Sequence, residues 1–526
     1  MMPTMQSMLL PVLIASSALA ASADDWRKRT IYQLLTDRFA LEDDSGSACD
    51  TSDRKYCGGT WKAVQNHLDY ISGMGFDAIW ISPVVKNVEG ETGYGEAYHG
   101  YWTQDMSSLN DKFGTEDDLK SLVSAAHDKD IYVMVDVVVN HYAGSPSNSS
   151  GTTSYDLDDF SPIHGSSSFH QQCWVKDDGN QTETEQCWLG DDTLALYDIN
   201  TEDDTIVGEL NDFISNLVST YNFDGVRIDT VKHIRKDFWP DFASSAGVFT
   251  IGEVLIDNVT YAADYTQVLD AILDYPTYFA LRDAFTSTKG DLSALQNAVT
   301  SAQEAYKNGE FMTGSFTENH DYARLQSMTQ DSALIKNAMS FNFIHDGIPI
   351  TYYGQEQGYT GGDEPANREA LWLSGYPTDN DLYKAVVALN AARKSAMSAD
   401  ESFLTTKMSF ISQSDIGAMA ISKPPLLGLF TNTGSNGSAS FSVEGVYDAG
   451  ETLVDVLTCN AITADDSGKV SASASGGMPQ VLIPASSLKS SYGVCADQAD
   501  GAMGVRVPAL AALVAGTVVA FVVGAL

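Results

Sequence analysis

Gly225-Val-Arg-Ile-Asp-Thr-Val-Lys-His233 has the pattern of a short β-strand whose polar residues collect at its C-terminal end. Val226 and Ile228 alternate with Arg227 and Asp229, as the two faces of a strand do. An Arg two residues before an Asp can keep that carboxylate ionised, because a neighbouring cation lowers its pKa. The carboxylate could then serve as a nucleophile, or the two residues could form an ion pair that only braces the strand end.

Eight short apolar strands, including the one at Gly225, alternate with amphipathic helical segments between residues 31 and 393. This alternation is typical of a parallel sheet with crossover helices. Eight strands over this length favour a (β/α)₈ TIM barrel, an α/β fold, over an open sheet. The predicted strands span residues 31–35, 78–81, 132–138, 225–228, 248–252, 271–273, 312–316 and 348–352.

Polar residues follow four of these strands at their C-terminal ends, where a TIM barrel carries its chemistry. Acids or histidines at four separate strand ends are hard to explain as bracing alone. We therefore expect an active site at this end of the barrel. The residues are Asp136 with Asn140 and His141, Arg227 with Asp229, Glu253, and the run Glu318-Asn-His-Asp321.

Two regions depart from the barrel pattern. Residues 142–197 form a Ser-, Gly- and Asp-rich insertion, and a loop of that length is normally functional or a small subdomain. Residues 399–495 contain short alternating runs with Gly and Asn turns, which predict an antiparallel β-sandwich domain. The barrel itself is expected in two parts, residues 24–141 and 198–398.

The composition excludes some partners. Seventy acidic and 30 basic residues give a formal net charge of −40, which argues against nucleic acid or an anionic membrane as a partner. A neutral ligand such as a sugar is compatible with this charge, although the acidity could also serve only to keep a secreted protein soluble. We expect a monomer.

Both ends of the sequence have the pattern of processing signals. The apolar run at residues 8–20, followed by small residues, predicts a secretory signal peptide within residues 1–23, although the usual basic segment is missing. Residues 507–526 are apolar and uncharged, and the small and polar stretch before them is typical of a GPI attachment signal over residues 496–526. A membrane-spanning helix is the alternative, but Lys or Arg would normally follow it. We expect a lipid-anchored protein on the outer face of the plasma membrane or in the cell wall.

Six cysteines in a secreted chain predict three disulfides. Many connectivities are open, and the most economical one pairs Cys49 with Cys57 and Cys173 with Cys187, which leaves Cys459 with Cys495. The sequence contains no Cys-x-x-Cys or His-x-x-x-His pair that would point to zinc. Four glycosylation sequons fit the same secretory route, and they begin at Asn148, Asn180, Asn258 and Asn436.

Two carboxylates that flank a glycosidic bond can cleave it with retention when about 5–5.5 Å separate them, one as nucleophile and one as proton donor. We assign the nucleophile to Asp229, because Arg227 should lower its pKa. Glu253 follows an apolar strand, and we expect partial desolvation to raise its pKa as a general acid requires. Asp321 would bind sugar hydroxyls and stabilise oxocarbenium charge.

Four blocks of the sequence resemble the signature blocks of the α-amylase family, in the family's order and on the expected strands. They are Asp136-Val-Val-Val-Asn-His141, Gly225 to His233, Gly252-Glu-Val-Leu255 and Phe316-Thr-Glu-Asn-His-Asp321. Four more motifs resemble secreted fungal α-amylases: Lys55-Tyr-Cys-Gly-Gly-Thr-Trp61, Tyr98-His-Gly-Tyr-Trp102, Asp237-Phe-Trp-Pro240 and Pro365-Ala-Asn-Arg-Glu-Ala370. The resemblance covers about residues 25–495 and implies a calcium-dependent, retaining endo-α-1,4-glucan hydrolase.

The resemblance implies a role for each matching residue. Asp229 would be the nucleophile, Glu253 the acid/base, Asp321 the transition-state stabiliser, and Arg227 the residue that orients Asp229. Seven residues would bind sugar, although either histidine of the cleavage subsite could be a satisfied core residue and Tyr101 a packing aromatic. They are His141, His320 and Tyr101 at the cleavage subsite with Trp102 beside Tyr101, Lys232 and His233 on the acceptor side, and Arg368 on the donor side.

The same resemblance implies a calcium site. Its ligands would be Asn140 Oδ1, Glu185, Asp198 and the backbone carbonyl of His233, which would tie the inserted subdomain to the barrel. Such oxygen ligands suit Ca²⁺. Without the resemblance, residues so scattered along the sequence would predict no metal site.

The sequence departs from secreted relatives in three places. Residues 261–267 lack the cysteine of an additional disulfide, and Val139 replaces the usual Ala. Asp177-Asp178-Gly179 stands where relatives offer a Tyr that packs against the acceptor sugar. This change and the anchor signal leave a second hypothesis open, an α-1,4-glucanotransferase that remodels cell-wall α-glucan. A third hypothesis, an inactive carbohydrate-binding or wall protein, is opposed by the three intact carboxylates.

Overall fold

A computed structural model describes residues 21–43, 45–149, 152–177, 179–415 and 417–498. Asp178 and most of the two predicted processing signals lie outside these ranges. The strands within them are β1 (Ile31–Gln33), β2 (Ala78–Ile81), β3 (Val85–Asn87), β4 (Thr103–Leu109), β5 (Tyr132–Val137), β6 (His141–Gly144), β7 (Ser147–Ser149), β8 (Thr152–Ser154), β9 (Leu189–Gly190), β10 (Ala195–Asp198), β11 (Gly225–Ile228), β12 (Phe249–Gly252), β13 (Ala271–Leu273), β14 (Lys307–Glu310), β15 (Thr313–Ser315), β16 (Ile348–Tyr352), β17 (Ser409–Ile411), β18 (Ala418–Lys423), β19 (Leu426–Thr431), β20 (Ser438–Val443), β21 (Thr452–Asp455), β22 (Ala461–Thr463), β23 (Val470–Ser475) and β24 (Gln480–Pro484).

The α-helices within the same ranges surround these strands. They are α1 (Ala23–Trp26), α2 (Thr36–Phe39), α3 (Trp61–Asn66), α4 (Leu68–Gly73), α5 (Glu116–His127), α6 (Gln181–Gln186), α7 (Asp204–Tyr221), α8 (Trp239–Ala246), α9 (Val259–Tyr265), α10 (Tyr275–Phe285), α11 (Leu292–Ala305), α12 (Leu325–Met328), α13 (Ser332–Ile344) and α14 (Asp381–Ala399). None of the helices in this described part of the chain is long and apolar enough to cross a bilayer.

Eight parallel strands close into a barrel in the order β1, β2, β5, β11, β12, β13, β15 and β16. The predicted TIM barrel is therefore confirmed, and each predicted strand is present with ends that differ by at most two residues. Adjacent strand residues enter different apolar clusters, as the alternation of side chains along a strand requires. One cluster contains Ile31, Ala78, Met134 and Ile251, and the other contains Tyr32, Ile79, Val133 and Val226 with the helices.

Helix α7 shows how the sequence builds the outer layer. Its buried residues Ile206, Leu210, Ile214 and Leu217 recur every three or four positions, which is the spacing of one helix face. Asp203 caps its first turn by accepting a hydrogen bond from the Thr205 N–H at 2.8 Å. The helix packs against α8 and α5 and delivers the chain to β11.

The register of β11 places the predicted catalytic acids side by side. Ile228 pairs with Gly252 of β12, so Asp229 and Glu253 are the next residues along two adjacent strands. On the other side of β11, Arg227 pairs with Asp136 of β5. The barrel thus brings together three strand ends that are far apart in sequence.

The insertion after β5 carries a three-stranded antiparallel sheet in the order β6, β10, β9. A disulfide between Cys173 and Cys187 closes the segment that precedes β9. Two further disulfides join Cys49 to Cys57 and Cys459 to Cys495, so the predicted pairing is confirmed. Of the sequon asparagines, Asn148 lies in β7, and Asn180, Asn258 and Asn436 are exposed.

The C-terminal domain consists of a six-stranded antiparallel sheet and a two-stranded sheet, which share an apolar core. The prediction of a C-terminal β domain is confirmed. A buried ion pair joins this domain to the barrel: Lys423 Nζ contacts Asp346, and the same ammonium donates to the Thr406 carbonyl at 2.6 Å. Both side chains are almost fully buried.

Replacing Asp346 with Ala should leave the Lys423 ammonium buried without its carboxylate. Breaking a buried pair in this way costs about 3–5 kcal/mol, so we expect a clear fall in the thermal midpoint. The control is Asp381→Ala, which removes an exposed partner of Lys336 at 3.6 Å and should change the free energy of unfolding by about 1 kcal/mol or less. Equal shifts for the two variants would contradict the buried pair's role.

Candidate active site

Arg227 is fully buried, and its guanidinium contacts carboxylates from three neighbouring strands. Nη1 donates to Asp136 Oδ1 at 2.9 Å and to Asp229 Oδ1 at 2.8 Å. Nη2 lies 3.0 Å from Glu253 Oε2. Because a buried cation is stable only when it is paired, these contacts fix the three acids relative to one another.

Asp136 is a fixed counter-ion of Arg227. Its Oδ2 accepts hydrogen bonds from Trp80 Nε1 at 3.0 Å and from the Tyr101 hydroxyl at 2.6 Å. With Arg227 and two further donors, the carboxylate is fully engaged and buried. Asp136 therefore holds the arginine, and the other two acids are the ones that can reach a substrate.

Glu253 is held by groups on both of its oxygens. The Thr230 N–H donates to Oε2 at 3.0 Å, and the Tyr275 hydroxyl donates to Oε1 at 3.3 Å. Thr230 has a φ of 49°, a left-handed conformation that is rare for a β-branched residue. Such strain persists only where the surroundings impose it, and it concentrates at functional sites. In this site the strained residue, Thr230, is the one whose N–H binds Glu253.

The pKa values of the two acids correct the expectation from sequence. Burial raises the pKa of Asp229 well above its ordinary value, with Arg227 opposing and Glu253 adding to the rise. Burial also acts against the charge of Glu253, but Arg227, the Thr230 N–H and hydrogen bonds from Asp229 and Tyr275 together lower its pKa. The expected order of the two pKa values was wrong because Arg227 contacts both carboxylates and because Glu253 accepts from more donors than Asp229 does. Because both carboxyl groups contact the guanidinium of Arg227, they titrate as one interacting pair.

Asp321 lies in the loop after β15. Arg368 Nη2 lies 3.4 Å from Asp321 Oδ1, and Arg368 Nε donates to the His320 carbonyl at 2.9 Å. Burial raises the pKa of Asp321 to about 6, and the charge of Glu253 adds to this rise. The structure thus brings the three predicted acids and Arg368 into one site.

His320, Tyr101 and His141 lie together beside the acids. The Tyr101 and His320 rings stack with centroids 5.1 Å apart, and His141 Nε2 lies 3.3 Å from the Tyr101 carbonyl. The side-chain amide of Gln33 donates to His320 Nδ1 at 2.9 Å, so the ring proton is on Nε2, 3.5 Å from Asp321. His320 can therefore offer an N–H to a ligand beside Asp321.

The remaining predicted sugar-binding residues border this group. Lys232 and His233 are buried in the short turn of helix that follows Asp229, and His233 Nδ1 lies 3.0 Å from the Thr184 carbonyl of the insertion. The ring of Trp102 is half-buried and meets the ring of His99 edge-on at 4.5 Å.

The four residues implied as calcium ligands lie where the insertion meets the barrel. Asn140 Oδ1 is buried without a hydrogen-bond partner, and Asp198 is buried on β10, which pairs with β6 directly after Asn140. Glu185 adjoins Thr184, whose carbonyl contacts His233. A buried amide oxygen without a donor is costly, and a hard cation would satisfy it. These residues fit a calcium ion.

A different set of possible ligands, Asp274, Glu310 and His345, is buried with its ligand atoms within 4.8 Å of one another. The Gly347 N–H donates to His345 Nδ1 at 3.1 Å, which places the ring proton on Nε2, the atom that faces Glu310 at 3.4 Å. A protonated nitrogen cannot ligate a metal, and histidine ligands normally donate through their other nitrogen. Burial raises the pKa of Glu310 to about 8. The group is a buried cluster of two acids and a histidine, in which Asp274 Oδ1 and Glu310 Oε2 accept hydrogen bonds.

A groove of about 940 Å³ lies elsewhere on the surface, between β4, the start of α5 and α7. It contains none of the predicted site residues. The convergence of perturbed acids around Arg227 marks the site better than volume does.

A parallel barrel with three carboxylates at its strand ends is the arrangement of a carboxylate-dependent glycoside hydrolase. The family model described as "Alpha amylase, catalytic domain" matches residues 33–412, and the one described as "Alpha-amylase, domain C" matches residues 411–502. The chain belongs to the α-amylase family of glycoside hydrolases.

Individual relatives agree with this assignment over nearly the whole chain. Alpha-amylase 1 of Schwanniomyces occidentalis is 43% identical over 490 residues, which cover 92% of this chain and 94% of that protein. An α-amylase of Saccharomycopsis fibuligera is 42% identical over 466 residues, covering 88% and 93%. The solved structure of an α-amylase from Malbranchea cinnamomea matches with a TM-score of 0.87 and 42% identity, covering 90% of this chain and 100% of that one.

Sequence reasoning missed four residues that shape the site: Gln33, Thr230, Tyr275 and Asn319. The left-handed backbone of Thr230 has no signature in its residue type. Tyr275 and Gln33 act through single hydrogen bonds to residues far away in sequence. Asn319 directly follows the acidic Glu318 in the run that ends at Asp321, and this position is its one signal in the sequence.

Replacing Arg227 with Lys should lower kcat/KM on soluble starch by about 100-fold. An ammonium keeps the charge but cannot contact Asp229 and Glu253 through two separate nitrogens as the planar guanidinium does. The measurement is the rate of new reducing ends. Arg235→Lys is the matched control, because Arg235 pairs with Asp237 at 2.8 Å outside the site; it should stay within about twofold. An active Arg227→Lys enzyme would refute the role of Arg227.

Proposed function

We propose that this chain is a retaining, endo-acting α-amylase that hydrolyses internal α-1,4-glucosidic bonds of starch, glycogen or related α-glucans. The observation that carries the proposal is that one guanidinium contacts both acids, with Arg227 Nη1 2.8 Å from Asp229 Oδ1 and Nη2 3.0 Å from Glu253 Oε2. An inverting enzyme needs its two carboxyl groups about 6.5–9.5 Å apart to admit a water molecule, whereas a retaining enzyme uses a closer pair. Two carboxyl groups bound to a single guanidinium lie close together, which favours retention through a covalent glycosyl-enzyme.

In this proposal, one proton carried by the pair serves both steps. As the glycosidic bond breaks, positive charge develops at the anomeric carbon and favours ionised Asp229, which attacks that carbon. The proton then resides on Glu253, which gives it to the leaving oxygen. Arg227, the Thr230 N–H and the Tyr275 hydroxyl stabilise the ionised Glu253 that remains. In the second step Glu253 takes a proton from water, which releases the sugar from Asp229.

The surrounding residues supply recognition in this proposal. Asp321, positioned by Arg368, would bind sugar hydroxyls and stabilise the oxocarbenium charge next to the bond that breaks. His320 would donate through Nε2 beside it, as its tautomer allows. The other sugar-binding positions would be those predicted from the sequence: Tyr101, Trp102 and His141 at the cleavage subsite, and Lys232 and His233 on the acceptor side.

We also infer that Asn140 Oδ1, Glu185, Asp198 and the backbone carbonyl of His233 hold Ca²⁺. The ion would supply structural cross-linking between insertion and barrel, with no part in bond cleavage. The unpartnered oxygen of Asn140 supports this inference, as does the all-oxygen set of donors. Since His233 follows Lys232, loss of the ion would also disturb the acceptor side.

The location of the protein is a further proposal. The sequence patterns at both ends favour secretion followed by lipid anchoring at the outer face of the plasma membrane or in the cell wall. The three disulfides of the described residues support an oxidising compartment. In this proposal the enzyme acts as a monomer on α-glucan outside the cell, and the membrane is reached only through the anchor.

A product time course on maltoheptaose tests the reaction type. The soluble chain, ending before Gly501, should give shorter oligosaccharides with a matched growth of reducing ends, and Asp229→Asn should lower kcat by on the order of 1,000-fold or more. Products longer than the substrate, with few new reducing ends, would contradict the hydrolase and favour the glucanotransferase. Full activity of Asp229→Asn would contradict the assignment of the nucleophile.

Chelation tests the calcium proposal. EDTA should lower the thermal midpoint of the wild type, and added Ca²⁺ should restore it, because an ion that binds only the folded state stabilises it by mass action. Asn140→Leu should abolish the response to Ca²⁺. The matched control is Asn390→Leu at a buried amide of α14 that donates to the Met74 carbonyl, and it should retain the response. A wild type indifferent to EDTA, or equal responses in both variants, would refute the site.

A further inference from the structure

We propose that Tyr275 is a positioning residue for the acid/base Glu253, and that Asn319 sets the direction of its hydrogen bond. This inference rests on the function proposed for Glu253. Tyr275 is the first residue of α10, directly after β13, so its place at the C-terminal end of the barrel follows from the fold. Its ring is 1% exposed and packs against Phe316 with centroids 5.2 Å apart.

Asn319, Tyr275 and Glu253 form a chain of hydrogen bonds, and backbone donors to Asn319 fix its direction. Asn319 Oδ1 accepts from the N–H groups of Asp321 and Tyr322, each at 3.0 Å. The other side-chain atom of Asn319 must therefore be Nδ2, which donates to the Tyr275 oxygen at 3.1 Å. The single proton of the Tyr275 hydroxyl is then free to point to Glu253 Oε1, 3.3 Å away. Each hydrogen bond between these groups then has one donor and one acceptor.

The same chain links two of the three predicted acids. It begins at the backbone of Asp321, passes through Asn319 and Tyr275, and ends on Glu253. Any displacement of the Asp321 loop would therefore be transmitted to the oxygen of Glu253 through groups that are all buried. Tyr275 keeps the carboxylate oriented after it has given up its proton and before it takes one from water.

Other charged or titratable groups also surround Glu253 and Tyr275, and the test must separate their effects from that of the Tyr275 hydroxyl. They remain in place when Tyr275 becomes Phe, because the ring and its packing are unchanged. They are Arg227 and Asp229 at the end of β11, Asp136 on β5, Asp321 in the loop after β15, and Tyr278 on α10.

The test is the pH dependence of kcat/KM on maltoheptaose for wild type and Tyr275→Phe. Loss of one donor to Glu253 makes its proton harder to remove and so raises its pKa. The basic limb of the pH profile of kcat/KM should therefore move to higher pH by about one unit. In the same variant kcat should fall about tenfold while KM stays within about twofold, because the hydroxyl touches the catalytic carboxylate and not the sugar. A merely structural role would lower the yield of active enzyme and leave the pH profile unchanged.

Tyr278→Phe is the matched control. Tyr278 lies on the same helix and is equally buried, but its hydroxyl has Arg282 as its polar neighbour and does not bond to a catalytic acid. Its pH profile should match the wild type. Asn319→Asp keeps the oxygen that binds the two backbone N–H groups and replaces the donor by an acceptor, so the Tyr275 proton is drawn away from Glu253. This variant should move the basic limb in the same direction as Tyr275→Phe.

An infrared difference titration of the carboxyl band gives an answer that does not depend on turnover. In Tyr275→Phe one carboxyl should hold its proton to a pH about one unit higher than in wild type. If wild type lacks amylase activity but this shift is present, the proposed function fails and the positioning role stands. If wild type is active and Tyr275→Phe shifts neither the basic limb nor the carboxyl titration, or Tyr278→Phe shifts them equally, the positioning role is refuted.

Discussion

The buried guanidinium of Arg227 joins the carboxyl ends of three barrel strands into one electrostatic unit. It contacts Asp136, Asp229 and Glu253, which lie at the ends of neighbouring strands. Without the cation, three carboxylates in a dry site would repel one another and take up protons. Without the acids, a buried arginine would be unstable. Each side of this arrangement therefore requires the other, and both require the parallel register that aligns β5, β11 and β12.

Arg227 also influences the pKa values of the two candidate catalytic acids. Because Arg227 serves two candidate catalytic acids, it cannot by itself decide which of them is ionised. The difference in pKa between the two acids depends also on two neutral donors, the Thr230 amide and the Tyr275 hydroxyl, which both bind Glu253. The strained backbone of Thr230 positions the first donor, and the amide of Asn319 contacts the second. The two candidate catalytic acids are thus distinguished less by burial, which they share, than by the number of hydrogen bonds each receives.

The barrel could be predicted because its signal is local and repeated. Each strand is a short apolar run, and the polar residues that end it stand out in the sequence, so the sequence alone identifies Asp229, Glu253 and Asp321 as candidates. Their pKa order could not be predicted, since a spacing of two residues between Arg227 and Asp229 does not reveal that the same side chain reaches Glu253 on the next strand. Tyr275 and Gln33 were missed for a similar reason. A single hydrogen bond between residues distant in sequence leaves no pattern in either segment.

Covalent trapping tests most directly whether Asp229 is the nucleophile of the acid pair that Arg227 contacts. The soluble chain would be incubated with an activated, fluorinated maltosyl fluoride, which forms the glycosyl-enzyme faster than water can release it. Proteolysis and mass spectrometry then locate the added sugar. The account predicts the mass of one glycosyl group on the peptide that contains Asp229, on that side chain. A label on Glu253 or Asp321, or turnover without any covalent label, would contradict it.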